Sequence, residues 1–242
     1  MRNIYTINNM ATTKEFRSKY WHPAVTVDCV IFGFDGANLN ILLIQRGLEP
    51  YIGRWAFPGG FIKEKETAEE GARRELKEET GVENVFMEQL RAFSGVDRDP
   101  RERVITIAFY ALVKLSDYNV IGGDDASKAQ WFRIHEIPEL AFDHDSILSV
   151  AMSHLKQKIQ FEPIGFELLS DKFTMTQLQT LYESILEIRF DRRNFYKKML
   201  SLDLLIPLED KVPNTSHRAA RYFSFNREKY LELKEKGFRL EF

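Results

Sequence analysis

Nine positions in residues 60–82 constrain this chain more than any other stretch: Gly60, Glu66, Arg74, Glu75, Leu76, Glu78, Glu79, Gly81 and Val82. They satisfy the pattern G-x5-E-x7-R-E-(apolar)-x-E-E-x-G-(apolar), which arises by chance on the order of 10⁻⁸ per start point from average residue usage. Thr67-Ala-Glu-Glu70 has the form of a capping box, and Gly81 stands where a left-handed residue ends a helix. The segment therefore predicts a helix over residues 68–80. On it Glu75, Glu78 and Glu79 fall at i, i+3 and i+4 and share a face. Like charges so placed repel by a few tenths of a kcal/mol per pair, roughly, so they serve poorly as stabilisers. A divalent cation removes the objection.

Carboxylate oxygens suit Mg²⁺ or Mn²⁺, which keep several waters and bridge protein to substrate phosphates. Such ions clamp a diphosphate and generate the attacking hydroxide. Glu75, Glu78 and Glu79 are thus the candidate metal ligands and, with Arg74, the candidate catalytic residues. Arg74 is expected to hold Glu66 by a bidentate pair, and Gly71, Ala68 and Ala72 are expected to leave room for a phosphate. The general base stays open between Glu75 and an acidic residue of the 97–102 loop. The pattern resembles the Nudix box, the signature of hydrolases acting on nucleoside diphosphates linked to another group. Trp55-Ala-Phe-Pro-Gly-Gly60 matches the strand and loop that precede the box in that family, and the resemblance implies a Gly59 carbonyl in the metal shell. Arg46, Arg54, Gly60, Asp99 and Arg101 are the residues expected to meet the bound metabolite.

At 242 residues, 44% apolar and 29% charged, the composition is that of an ordinary globular protein of one or two domains. The single cysteine, Cys29, excludes an internal disulfide and reads as a buried core thiol within an apolar strand. No apolar run approaches the roughly 18 residues of a membrane span, and no secretory leader is visible, so a cytoplasmic protein with no membrane partner is expected. A net charge of −2 excludes a globally basic nucleic-acid binder. Residues 188–198 nevertheless set Arg189, Arg192, Arg193, Lys197 and Lys198 against Asp191 alone.

Residues 1–20 carry no periodicity and read as a loose arm. Strand patterns follow at 25–34 and 40–45, joined by the turn Asp35-Gly-Ala-Asn38, and after the box at 85–93, 104–115 and 129–134. A helix is expected over 146–160. This order predicts an α/β/α sandwich over residues 21–160, the fold the resemblance implies. Phe161-Glu-Pro-Ile-Gly165 breaks the pattern and marks the expected start of a second domain, 161–242. There Thr174-Met-Thr-Gln177 is another capping-box form, opening a helix with Leu178, Leu181, Tyr182 and Ile185 on one face. A second helix with Phe195, Met199 and Leu202 follows, then two short strands at 204–207 and 221–226. Helix, turn, helix and ribbon outline a winged helix-turn-helix, giving an α+β chain overall. Thr176, Gln177, Arg192, Arg193, Asn194, Tyr196, Lys197 and Lys198, with His217 and Arg218 in the loop between the strands, are the candidate contacts to duplex DNA.

The whole chain after its arm is similar to the Nudix-related transcriptional regulators (the NrtR family). Phe173-Thr-Met-Thr-Gln-Leu-Gln-Thr-Leu-Tyr-Glu-Ser-Ile-Leu186 and Asp191-Arg-Arg-Asn-Phe-Tyr-Lys-Lys198 carry the likeness, as do Asp97-Arg-Asp-Pro-Arg101 and Ala141-Phe-Asp-His-Asp145. It implies a dimeric repressor that binds an operator and senses an ADP-ribose-type nucleotide or a sugar. Many members have a degraded box; this chain keeps every specified residue, which implies retained hydrolysis. Two functions stand: a metabolite-responsive regulator, or a working ADP-ribose-type pyrophosphatase whose C-terminal domain only packs or dimerises.

Overall fold

The computed structural model describes residues 21–118, 126–211 and 220–237. The proposed arm, 1–20, lies outside them. Strand β1 (Ala24–Phe34) is the spine of a seven-stranded mixed sheet. It runs parallel to β6 (Val104–Lys114) over its whole length, from Ala24 opposite Val104 to Phe34 opposite Lys114. On its other edge it pairs antiparallel first with β4 (Gly59–Phe61) and then with β2 (Leu39–Arg46). The Asp35–Asn38 turn forms as expected: Asp35 Oδ1 accepts the Ala37 and Asn38 N–H groups at 2.8 and 2.7 Å. Strands β3 (Trp55–Ala56) and β7 (Ala126–Arg133) pair with β2, and β5 (Glu88–Phe93) pairs with β6.

Because successive strand residues face opposite sides, β1 feeds two cores. Val27, Cys29 and Ile31 pack with Leu76 and Ala72 of helix α1 (Ala68–Thr80) on one face. Val30, Phe32 and Phe34 pack with Ile147, Ala151, Leu155 and Ile159 of helix α2 (His144–Phe161) on the other. Both faces are covered, which is why β1 reads as a near-continuous apolar run. The strand expected from residue 85 begins at Glu88 instead: Val85 and Met87 are buried under α1, and Asn84 turns the chain with φ of 60°.

Beyond α2 a 3₁₀ turn (Ile164–Leu168) leads to β8 (Phe173–Thr174), α3 (Met175–Leu186), α4 (Arg192–Ser201), β9 (Leu205–Lys211), β10 (Arg221–Phe225) and α5 (Arg227–Glu235). The last three strands to appear form a separate sheet, in the order β8-β10-β9. This is the winged helix expected, with a third strand and a closing helix added. The two units share one core rather than a linker. Leu178, Leu181, Tyr182, Ile185, Phe195 and Met199 belong to the same apolar cluster as Phe32, Ile147 and Leu155. Gly165 sits at the join, where a Cβ would come within 3.2 Å of Ile159 and 3.3 Å of Tyr182. Lys156 Nζ of α2 also reaches Glu187, at the end of α3, at 2.6 Å.

Candidate functional site

Both ends of α1 are fixed by their own chemistry. Thr67 Oγ1 accepts the Glu70 N–H at 3.2 Å while Glu70 Oε2 accepts the Thr67 N–H at 2.8 Å, and Gly81, with φ of 72°, donates to Lys77 O at 2.9 Å. The helix so framed aims Glu75, Glu78 and Glu79 into a cleft of about 490 Å³. Gly59 and Gly60 make that approach possible. A Cβ on Gly59 would lie 2.1 Å from Val27 O, and one on Gly60 would lie 2.5 Å from Glu75 Oε1. Gly71, Ala68 and Ala72 play a different part from the one expected. Ala72 is buried against β1, where its carbonyl accepts the Cys29 thiol at 3.5 Å, and Gly71 faces Glu66; none of the three lines the cleft.

Arg74 organises the carboxylates. Its Nε and Nη2 hold Glu66 at 2.6 and 3.0 Å, the bidentate pair expected, and Nη1 donates to Glu75 Oε1 at 2.7 Å and Glu78 Oε2 at 2.9 Å. Nη2 also donates to Phe61 O at 3.1 Å. The guanidinium and the Lys63 N–H bring the Glu66 carboxyl down to about 2. Glu75 moves the other way, because burial outweighs Arg74. Glu79 is only 8% exposed. Burial pushes it up to about 8, with Glu75 and Asp28 adding to the rise, against a 2.8 Å hydrogen bond from Gly59 N–H and the charge of Arg46. With Glu75 and Glu78 turned to Arg74 and Glu79 to Gly59, no group of three or more His, Cys, Asp or Glu among the described residues converges on a metal-sized point.

Across the cleft, Arg46 and Arg101 converge on one ring. Their guanidiniums lie 4.8 and 5.9 Å from the centre of Phe142, and Arg101 lies 5.2 Å from Phe61. Backbone carbonyls of Pro50 and Leu48 hold Arg46, while Asp99 grips Arg101 at 3.0 and 2.7 Å. Of the five residues expected to meet the metabolite, Arg46, Gly60, Asp99 and Arg101 line this cleft. Arg54 does not: it pairs with Glu139 at 2.6 Å and stacks on Tyr51.

The cleft floor holds a polar network that sequence reasoning missed. Arg98 donates to Asp143 at 2.7 and 3.1 Å and reaches Asp28 at 3.5 Å. Phe57 N–H donates to His144 Nδ1 at 3.0 Å, which leaves Nε2 to carry the proton toward Asp28 Oδ1 at 3.3 Å. Burial would raise the Asp28 carboxyl, but His144 and Arg98 together hold it below its ordinary value. One signal was visible: a carboxylate, Asp28, inside an otherwise apolar strand.

In the second unit α4 is capped by Asp191, whose Oδ1 accepts the Asn194 N–H at 2.9 Å. Phe195 and Met199 are buried, and Arg192, Arg193, Asn194, Tyr196, Lys197 and Lys198 are exposed. Arg192, Arg193, Lys197 and Lys198 make no ion pair with any described residue, whereas Arg189 beside them pairs with Glu183 at 2.8 Å. Thr176 is exposed at the start of α3. Gln177 is not on that open face: its Oε1 accepts the Thr174 N–H at 2.8 Å, and its amide lies against Gly36 at the seam between the units. His217 and Arg218 lie outside the described residues.

Residues 22–150 match the NUDIX domain, and residues 165–225 match the NrtR DNA-binding winged helix domain. The chain is 30% identical over 218 residues to the ADPR responsive transcriptional repressor NtrR of Acinetobacter baylyi, covering 88% of this chain and 86% of that protein. It is 43% identical over 129 residues to the ADP-ribose pyrophosphatase of Methanocaldococcus jannaschii, covering 53% of this chain and 73% of that protein. Among solved structures, Shewanella oneidensis NrtR complexed with a 27mer DNA superposes with a TM-score of 0.72 at 30% identity, covering 89% of this chain and 97% of the other.

Proposed function

Because the chain belongs to the Nudix family, in the NrtR layout of a Nudix domain followed by a winged helix, we propose that it is a metabolite-responsive transcriptional repressor. The observation that carries this reading is the row of cations on α4 with no acidic partner among the described residues. A merely solvated helix face intersperses both signs; a face for phosphates does not. Arg192, Arg193, Asn194, Tyr196, Lys197 and Lys198 contact duplex DNA, with Thr176 at the start of α3, and His217 and Arg218, as further contacts. Gln177 serves the cap instead. Two copies, related by two-fold symmetry, present two such helices to a near-palindromic operator. No described helix is long and apolar enough to cross a membrane, and a role on DNA places the protein in the cytoplasm. The domain limits we propose are 21–160 and 161–242.

The effector enters the cleft of the first domain. Two arginines facing three carboxylates suit a ligand that is anionic yet carries divalent cations, an ADP-ribose-type diphosphate, better than a free sugar. The similarity to a repressor named for its response to ADPR supports the same choice. Replacing Arg193 and Lys197 together by Ala weakens duplex binding at least tenfold and makes the salt slope shallower by about two, near 0.9 per lost phosphate contact. Wild-type affinity in that variant rejects the regulator reading.

Retained hydrolysis is a second, compatible reading, favoured by a box whose Arg74 already orders Glu66, Glu75 and Glu78. The donor set is hard oxygen and fits Mg²⁺ or Mn²⁺. Glu75, Glu78, Glu79 and the Gly59 carbonyl are the groups that would hold the ion. When bound, it would supply charge neutralisation for a diphosphate and an acidified water. Of the candidate bases, Glu75 and Asp99 line the cleft, whereas Asp97 and Glu102 do not.

A further inference from the structure

The outward face of α4 is not uniformly charged. Arg193, Tyr196, Lys197 and Leu200 stand at i, i+3, i+4 and i+7, opposite the buried Phe195 and Met199, so the four form one stripe along the helix. Tyr196 and Leu200 are each 43% exposed, one turn apart, with Lys197 between them. An exposed apolar side chain alone needs no explanation. A pair of them within a row of cations that lack acidic partners among the described residues suits a surface that offers phosphates at its edges and apolar groups at its floor. The major groove offers both, because thymine alone among the bases presents a 5-methyl group there.

We propose that Leu200, assisted by Tyr196, reads the 5-methyl group of thymine, so that α4 selects its site partly by apolar contact and not by hydrogen bonds alone. The inference rests on the DNA-binding reading above and adds to it which bases are specified and by which atoms. Arg193 and Lys197 hold the helix on the backbone, and the stripe between them meets the methyl edge. In a helix ten residues long, the pair stands at the fifth and ninth positions, which requires that α4 lie along the groove rather than enter it by its tip alone.

Deoxyuridine tests this cleanly, since it keeps the charge, pairing and ring of thymidine and lacks only the methyl group. Sites are selected by the full-length chain from a random duplex library. Each thymine of the selected site is then replaced in turn by deoxyuridine, and binding is measured for the wild type and for Leu200→Ser. At one or two thymines per half-site the wild type loses about fourfold in affinity, the value of one methyl group withdrawn from an apolar contact. Leu200→Ser loses nothing at those positions and binds the substituted site as tightly as the wild type binds it, a result that a misfolded variant would not give. Leu200→Met restores the sensitivity. If no single deoxyuridine matters, or if Leu200→Ser keeps the wild-type sensitivity, the proposal is wrong although the protein binds DNA. If the full chain selects no duplex, the DNA-binding reading falls and this inference with it.

Discussion

With its carboxyl pushed up to about 8, Glu79 keeps its proton through neutral pH as long as no cation enters the cleft. Its ordinary value is 4.5, so the folded state binds this proton more tightly than the unfolded chain does. The stabilisation is complete below about pH 4.5 and is lost as pH rises through 8. On the metal-binding reading proposed above, a bound Mg²⁺ would need the carboxylate, so binding would release a proton below that pH and strengthen as pH rises. Thermal unfolding followed from pH 6 to 9 without metal is expected to show a falling Tm that Mg²⁺ restores. Glu79→Gln should flatten the fall, and an unchanged slope would count against a buried, protonated Glu79. Exchanging Glu78 and Glu79 together for Gln should abolish any ADP-ribose hydrolysis while leaving the circular dichroism of the fold intact; unaltered turnover would remove both from the catalytic set. Glu66, Arg74 and the three carboxylates were legible beforehand because they lie within one helix and its approach, where spacing sets neighbours. Asp28, Arg98 and His144 were not. They meet from three segments, 70 and 45 residues apart along the chain for the two Arg98 contacts, and no local pattern reports such a meeting.

At the scale of elements, α1 was readable from its two caps, β1 and β2 from apolar runs either side of a turn, and α2 from periodicity. The parallel pairing of β1 with β6 was not, since registers between strands that distant in sequence follow from closure of the whole sheet. Strand β8 is two residues long, and α5 buries none of its residues, so neither leaves an apolar signature. The join between the 94–103 loop and α2 matters most for what the fold can transmit. Arg98 spans it, gripping Asp143 at the N-cap of α2 and Asp28 of β1 while it is 8% exposed. Removing it leaves the buried Asp28 with His144 alone and takes the partner from the part-exposed Asp143. Arg98→Ala is therefore expected to cost about 3–5 kcal/mol of stability, the range for breaking a buried pair, read from urea unfolding. A loss below about 1 kcal/mol would show that water reaches the network freely and that the join is loose.

For the molecule as a whole, the order of two units was legible, and their common core was not. Periodicity tells which face of a helix is apolar without telling what covers it. Helix α2 starts beside the cleft at His144 and ends among the residues that pack α3, so a shift of the cleft loops has a rigid element on which to act. An effector changes operator affinity only through different affinity for the DNA-competent and DNA-incompetent arrangements, and in a dimer the spacing of the two α4 helices is the quantity free to change. On the second reading proposed above, hydrolysis would reset the signal and would not be needed to send it. The measurement that tests this most directly is the operator affinity of the full-length chain, followed by fluorescence anisotropy on its selected duplex, with and without saturating ADP-ribose in the hydrolysis-deficient Glu79→Gln variant. Affinity is predicted to fall at least tenfold and, by linkage, ADP-ribose affinity to fall by the same factor on saturation with DNA. Operator affinity unchanged by ADP-ribose in both the variant and the wild type would contradict the account and leave the plain hydrolase.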